Sequence, residues 1–158
     1  MADNASVSVE RVVAAPPEKV WAMISDVTRM CEFSPENTRC QWIGATKAPV
    51  VGARFRGTNV NGKRTWKTVA TVVEAQPGVS FAFAVKVGLL PIARWEYRFD
   101  ASGAGECRVT ETFTDLRGVV ARILGGPVTG VTDRMTHNRA GMEATLERVA
   151  AAAEAGGS

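Results

Sequence analysis

Trp95-Glu96-Tyr97-Arg98-Phe99-Asp100 and Arg108-Val109-Thr110-Glu111-Thr112-Phe113 decide how this chain folds. Both stretches alternate large apolar and polar side chains, and Ser102-Gly103 between them reads as a turn. Paired antiparallel, Phe99 falls opposite Val109, Tyr97 opposite Glu111 and Trp95 opposite Phe113. The other face then takes Asp100 with Arg108, Arg98 with Thr110 and Glu96 with Thr112. One register therefore yields an aromatic face and a polar face, as a half-buried hairpin requires. The preceding strand extends the aromatic face, setting Phe81 opposite Tyr97, Phe83 opposite Trp95 and Val85 opposite Ala93. One strand further back, the register stays ambiguous by one residue and leaves the face of Trp66 open.

Outward from this hairpin, the two-residue period runs from Asn37 to Asp115. Turn signals at Asn61-Gly62, Gln76-Pro77-Gly78, Leu90-Pro91 and Ser102-Gly103 divide it. Six strands result, near 37–44, 53–60, 63–75, 79–87, 92–101 and 106–115. Valine-rich Ser6–Ala14 supplies a seventh at the front. Pro16-Pro17 then opens a helix, where proline costs nothing because the first amides are unpaired anyway. Val20, Trp21, Ile24 and Val27 give that helix one apolar side, and a second short helical piece runs through Met30 and Phe33 to Ser34-Pro35. Gly125-Gly126-Pro127 breaks the chain before a long final helix, from about Val128 to Glu154. Helices at both ends of a meander predict an α+β domain, not alternating βαβ units. The expected fold is a seven-stranded antiparallel sheet, two short helices after strand 1, and a long C-terminal helix on the aromatic face.

The composition is consistent with this. The chain has 158 residues, 46% of them hydrophobic, which suits one domain spanning 1–158 with frayed tails at 1–5 and 156–158. No apolar run approaches the ~18 residues of a membrane span. The first six residues lack the basic and apolar regions of a signal peptide. Cys31, Cys40 and Cys107 form no C-x-x-C pair, so free thiols in a reducing cytoplasm are expected. His137 is the only histidine, and the cysteines are badly spaced for zinc, so neither a metal nor a cofactor is expected.

Net charge is +3, unevenly spread: no acidic residue lies between Glu36 and Glu74, a stretch carrying Arg39, Lys47, Arg54, Arg56, Lys63, Arg64 and Lys67. Such a run suits an acidic partner, a phosphate-bearing ligand or an anionic membrane, or is simply a solvated edge. No nucleic-acid motif accompanies it.

On a helical wheel, Val128, Val131, Met135, Met142, Leu146 and Val149 share one narrow arc, with Asn138 inside it. His137 falls outside that arc and is expected to be exposed beside Asp133. Met135 and Met142 serve either as ordinary core or as the flexible lining of an apolar pocket. Glu111 is the least expected residue of the inner face, because a buried carboxylate must be paired, hydrogen-bonded or protonated. With Tyr97 and Asn138 it forms a small polar set among apolar neighbours, the usual composition of a small-molecule pocket. The candidate ligand-contacting residues are Phe81, Phe83, Val85, Trp95, Tyr97, Phe99, Val109, Glu111, Phe113, Met135, Asn138 and Met142, with Glu111 the single catalytic candidate.

Several motifs carry a family resemblance. Val13-Ala14-Ala15-Pro16-Pro17-Glu18-Lys19-Val20-Trp21-Ala22-Met23-Ile24-Ser25-Asp26 is similar to the opening of the polyketide cyclase/dehydrase and lipid-transport group. This group belongs to the START-like (SRPBCC), birch-pollen-allergen-like helix-grip superfamily. Gly52-Ala53-Arg54-Phe55, Gln76-Pro77-Gly78, Trp95-Glu96-Tyr97-Arg98-Phe99, Thr110-Glu111 and Gly141-Met142-Glu143-Ala144-Thr145-Leu146 continue the match in order, from about residue 7 to 154. The resemblance implies a seven-stranded sheet gripping a C-terminal helix, with a cavity for a lipid, polyketide or sterol-like molecule.

Three functional expectations follow. The first is a bacterial cytoplasmic carrier, monomeric or homodimeric, without stable membrane insertion. Its entrance would lie where Gly88-Leu89-Leu90-Pro91 meets Val119 to Pro127. The second is an aromatase/cyclase or dehydratase, with Glu111 as general acid or base and an acidic carrier protein docked on the basic stretch. The third is an interaction module whose sheet edge or basic face binds a protein.

Overall fold

The computed structural model describes residues 5–118 and 133–155. Seven strands form one antiparallel sheet in the order β1-β7-β6-β5-β4-β3-β2, with β1 (Ser6–Val13) and β2 (Asn37–Ile43) at its edges. The others are β3 (Arg54–Asn61), β4 (Arg64–Gln76), β5 (Ser80–Val87), β6 (Leu90–Gly103) and β7 (Glu106–Asp115). Helix α1 (Pro17–Ser25), a 3-10 turn at Val27–Arg29 and α2 (Met30–Phe33) follow β1, and α3 (Arg134–Ala155) closes the chain. This is the expected α+β helix-grip architecture.

The register derived from alternation is the register observed. Trp95 lies opposite Phe113, Tyr97 opposite Glu111 and Phe99 opposite Val109, and β5 pairs Phe81 with Tyr97 and Phe83 with Trp95. The ambiguity at β4 has a physical origin. A bulge between Val72 and Glu74 shifts the β4–β5 register by one residue, so both alternatives occur along one strand pair. On the side of the bulge nearer the start of β4, Trp66, Thr68 and Ala70 fall on the inner face.

Local chemistry sets the short elements. Pro17 starts α1 at a position that needs no amide donor, and Trp21 of that helix donates from Nε1 to the Ser80 carbonyl at 2.8 Å. Asp26 caps the following turn, accepting from Thr28 N at 3.2 Å and from Thr28 Oγ1 at 2.6 Å. Helix α3 begins at Arg134, not at Val128, because Asp133 acts as its cap. The Asp133 carboxylate accepts from Thr136 N at 3.2 Å and Thr136 Oγ1 at 2.8 Å. Val128 and Val131 of the predicted stripe lie outside the described residues, as does the Val119–Pro127 side of the predicted entrance.

At its far end α3 is fastened on three sides. Lys19 Nζ donates to the Ala153 carbonyl at 2.9 Å, Ala14 N to Glu154 Oε1 at 3.1 Å, and Arg148 Nη1 to the Phe33 carbonyl at 3.2 Å. Leu146, Val149, Ala150 and Ala153 are buried there with the β1 valines and α1. Cys40 and Cys107 are buried free thiols, their pKa values pushed up by burial to about 12 and about 11. Cys31 is free and exposed.

The division between core and surface is testable. Leu146→Ala, at a site 1% exposed, is expected to cost about 2–5 kcal/mol in urea unfolding. Leu89→Ala, at a site 95% exposed, should stay within about 0.5 kcal/mol of wild type. Comparable losses at the two positions would contradict the packing described.

Candidate functional site

Between the sheet and the first half of α3 lies a cavity of about 750 Å³. Its apolar wall comes from Phe55 on β3, Phe83 and Val85 on β5, Ile92 and Trp95 on β6, Phe113 on β7, and Met142 on α3. The rings interlock. Phe55 meets Phe83 edge-on with centroids 5.0 Å apart, and Trp95 tilts against Phe113 at 4.8 Å. The helix contributes Arg134, His137, Asn138, Ala140, Gly141, Met142 and Thr145 to the wall, while Leu146, Val149, Ala150 and Ala153 belong to solid core.

The sheet is divided in the same way. Eight of the twelve candidate residues line the cavity: Phe83, Val85, Trp95, Tyr97, Glu111, Phe113, Asn138 and Met142. Phe81, Phe99, Val109 and Met135 do not. Trp21 of α1 stands edge-on to Phe81 at 6.5 Å, and Phe99 and Val109 are buried in the core cluster at that end of the sheet. Met135 is half-buried against the core. Alternation identifies a face, but the portion of it left uncovered depends on where α1 and the second half of α3 lie.

Tyr97 and Glu111 sit on the boundary between these two zones. The next pair along the ladder, Trp95 and Phe113, lines the cavity, and the pair on the other side, Phe99 and Val109, is core. Tyr97 Oη donates to Glu111 Oε1 at 2.8 Å. Glu111 is only 2% exposed, and its Oε2 has no hydrogen-bond partner among the described residues. Burial raises the Glu111 pKa to about 8, against the smaller lowering effect of the Tyr97 bond. Burial, reinforced by Glu111, also pushes the Tyr97 phenol well above its ordinary value. At neutral pH both side chains hold their protons.

Asn138 is buried at 6% exposed, as the helical arc requires, but it does not join this pair. It bonds instead with Arg134, whose Nη1 donates to Asn138 Oδ1 at 3.4 Å. Arg134 Nη1 also reaches Glu36 Oε1 at 3.3 Å, and its guanidinium lies 5.9 Å from the centre of the Trp66 ring. His137 corrects an expectation: it is half-buried on the cavity wall, with Nε2 2.8 Å from Glu36 Oε2, not exposed beside Asp133. Asn37, Asn59, Trp66 and Thr68 complete this second polar group on the sheet side. Sequence reasoning missed them because polar residues on a strand read as outward-facing. The available signal was parity: Asn59 continues the Phe55–Gly57 series on the inner face of β3.

On the outer face, Arg94 and Arg98 interleave with Glu74 and Glu96 at 2.8–3.8 Å. Among the described residues, no group of three or more His, Cys, Asp or Glu is placed to hold a metal ion.

The buried carboxyl makes stability depend on pH with a definite sign. Glu111 keeps its proton to about pH 8 when folded and loses it near 4.5 when unfolded. Its contribution is complete below the unfolded value, shrinks as pH rises between the two, and is gone above the folded one. The slope is on the order of 1 kcal/mol per pH unit. Glu111→Gln removes this titration and keeps an acceptor for Tyr97. Urea unfolding of the two proteins from about pH 5 to about pH 8 should therefore diverge, wild type losing stability relative to the variant. Parallel profiles would contradict a protonated Glu111.

Among known proteins, the polyketide cyclase / dehydrase and lipid transport family matches residues 4–154. No curated protein sequence matches the chain significantly. A polyketide-cyclase-like protein of Corynebacterium glutamicum is similar in structure, with TM-score 0.62 and 28% identity over 95% of this chain and 91% of that one. The ginseng major latex-like protein 151 of Panax ginseng has TM-score 0.73 and 11% identity, covering 96% and 99% of the two chains. The di-domain ARO/CYC protein StfQ of the steffimycin biosynthetic pathway has TM-score 0.71 and 16% identity over 96% of this chain, which spans 51% of that protein. The latter two share the fold alone. With the family matching nearly its whole length, and the sheet and helix arranged as that match requires, this chain belongs to the polyketide cyclase / dehydrase and lipid transport family.

Proposed function

We propose that this protein binds a hydrophobic or amphipathic small molecule, such as a lipid, polyketide or sterol-like compound, between its sheet and α3. The carrying observation is the cavity of about 750 Å³ walled by Phe55, Phe83, Trp95, Phe113 and Met142. That volume lies in the range of drug-sized ligand sites. Apolar walls around a space of this size offer a guest many dispersion contacts. The few polar groups on the wall suit orientation of a guest more than general solvation.

A second reading is favoured by one observation, the buried Glu111 carboxyl bonded to Tyr97, whose pKa burial raises to about 8. A neutral carboxylic acid is a proton donor, and an aromatase/cyclase or dehydratase needs one near a substrate carbonyl. In this reading the substrate arrives on an acidic carrier protein, and the basic run from Arg39 to Lys67 is the docking face. The fold shared with a di-domain ARO/CYC protein is consistent with it.

Native mass spectrometry after mild extraction tests the binding reading. The expected result is a retained or added lipophile at one per chain. Thermal or urea unfolding with free ligand at about one hundred times Kd should then show about 3 kcal/mol of added stability. A chain that holds no lipophile and gains no stability from any would overturn it. Glu111→Gln separates the second reading from the first: turnover of a carrier-bound polyketide should vanish while lipophile retention persists. Unchanged turnover in that variant would sink the catalytic role of Glu111.

A further inference from the structure

The cavity end beneath the first turns of α3 carries polar side chains bonded to neither Tyr97 nor Glu111. On the sheet side, Asn37, Asn59 and Thr68 stand on the adjacent strands β2, β3 and β4. Asn37 Nδ2 donates to Asn59 Oδ1 at 3.4 Å, and Asn59 Nδ2 donates to Thr68 Oγ1 at 3.3 Å. Gly57 makes room for this ladder, since a Cβ there would stand 2.9 Å from Asn37 Nδ2. On the helix side, Arg134 and His137 both engage the Glu36 carboxylate, at 3.3 and 2.8 Å, and Arg134 also holds Asn138.

Two features of this group bear on what it would accept. First, the Arg134 charge is already met by Glu36, so the group offers hydrogen bonds and little net charge. Among the described residues, only Nη1 of the guanidinium is engaged by hydrogen bonds, which leaves it further N–H donors. Second, Asn37 Oδ1 is a buried acceptor with no partner among the described residues. A hydroxyl can donate to such an acceptor and accept from a guanidinium at once. A carboxylate cannot donate, and it would have to approach Glu36, a like charge in a weakly solvated space. Leaving a buried acceptor unpaired is what the hydroxyl would remedy.

We propose that this end of the cavity is a head-group subsite for a neutral, hydroxyl-bearing lipophile, seated by Asn37, Asn59, Thr68, Arg134 and Asn138. The assignment rests on the binding reading above and adds the chemistry of the head group to it. The apolar tail would then run along Phe83, Trp95 and Phe113 toward the Tyr97–Glu111 boundary.

Displacement of the fluorescent probe N-phenyl-1-naphthylamine, read at neutral pH below micelle-forming concentrations, tests this with two ligands of matched tail. 1-Decanoylglycerol should bind about tenfold more tightly than decanoate. Gly57→Ala, which pushes the Asn37 amide from its place, and Thr68→Val should each reduce that ratio to about threefold or less. Circular dichroism establishes that both variants fold, and the ratio within each variant is internally controlled. Equal affinities, a preference for decanoate, or an unchanged ratio in both variants overturns the head-group assignment and leaves the binding reading standing. Failure of the probe and of both ligands to bind overturns the two together.

Discussion

One helix cannot cover the inner face of seven strands. Six strand spacings span roughly 29 Å, whereas a helix with its side chains is only about 10–12 Å across. Something else must cover the rest, and the chain solves the problem differently at its two ends. At one end, α1 inserts Trp21 against Phe81, and the second half of α3 adds Leu146, Val149 and Ala153, so the space is solid. At the other, the first half of α3 presents Gly141, Ala140 and polar residues, and the space stays open. Small side chains where core would need large ones are what keep the cavity.

The Tyr97–Glu111 pair marks where one regime gives way to the other. A carboxyl here is costly to ionise, because among the described residues it has a single hydrogen-bond donor and no cation pairs with it. The protein meets that cost by keeping the proton, with the consequence that the cavity floor is uncharged. The opposite end reaches near-neutrality by another route, closing Arg134 and His137 onto Glu36. A cavity with little net charge at either end and aromatic walls between favours guests that are themselves neutral. Cavity wall and fold thus draw on the same alternation of residues along β6 and β7.

Most of the architecture is legible in the sequence. Strict alternation on β5, β6 and β7 carries the register, because a slip by one residue would expose every aromatic ring. The long helix and its buried Asn138 follow from the 3.6-residue period, although its start does not: Asp133 caps it later than the apolar stripe suggests. The site was harder to read, for two reasons. Alternation names a face and is silent on which third of it a neighbouring element covers, so Phe81, Phe99, Val109 and Met135 were grouped with residues that line the cavity. It also assigns polar residues outward, so Asn59, Thr68 and the Glu36–His137 contact escaped notice. Asn59 could be read from the parity of β3. The facing of Thr68 is tied to a bulge at Val73, and the Glu36–His137 contact joins segments about a hundred residues apart, neither of which a local pattern contains.

The central claim is that a guest occupies the space between sheet and the first half of α3. Methionine methyl groups report on this with their own controls. Met30 and Met142 line the cavity, whereas Met23 and Met135 do not. Carbon-13 methyl NMR of methionine-labelled protein, titrated with a neutral lipophile, should move the Met142 and Met30 resonances together while those of Met23 and Met135 stay in place. Shifts confined to Met23 or Met135, or none at saturating lipophile, would contradict the account.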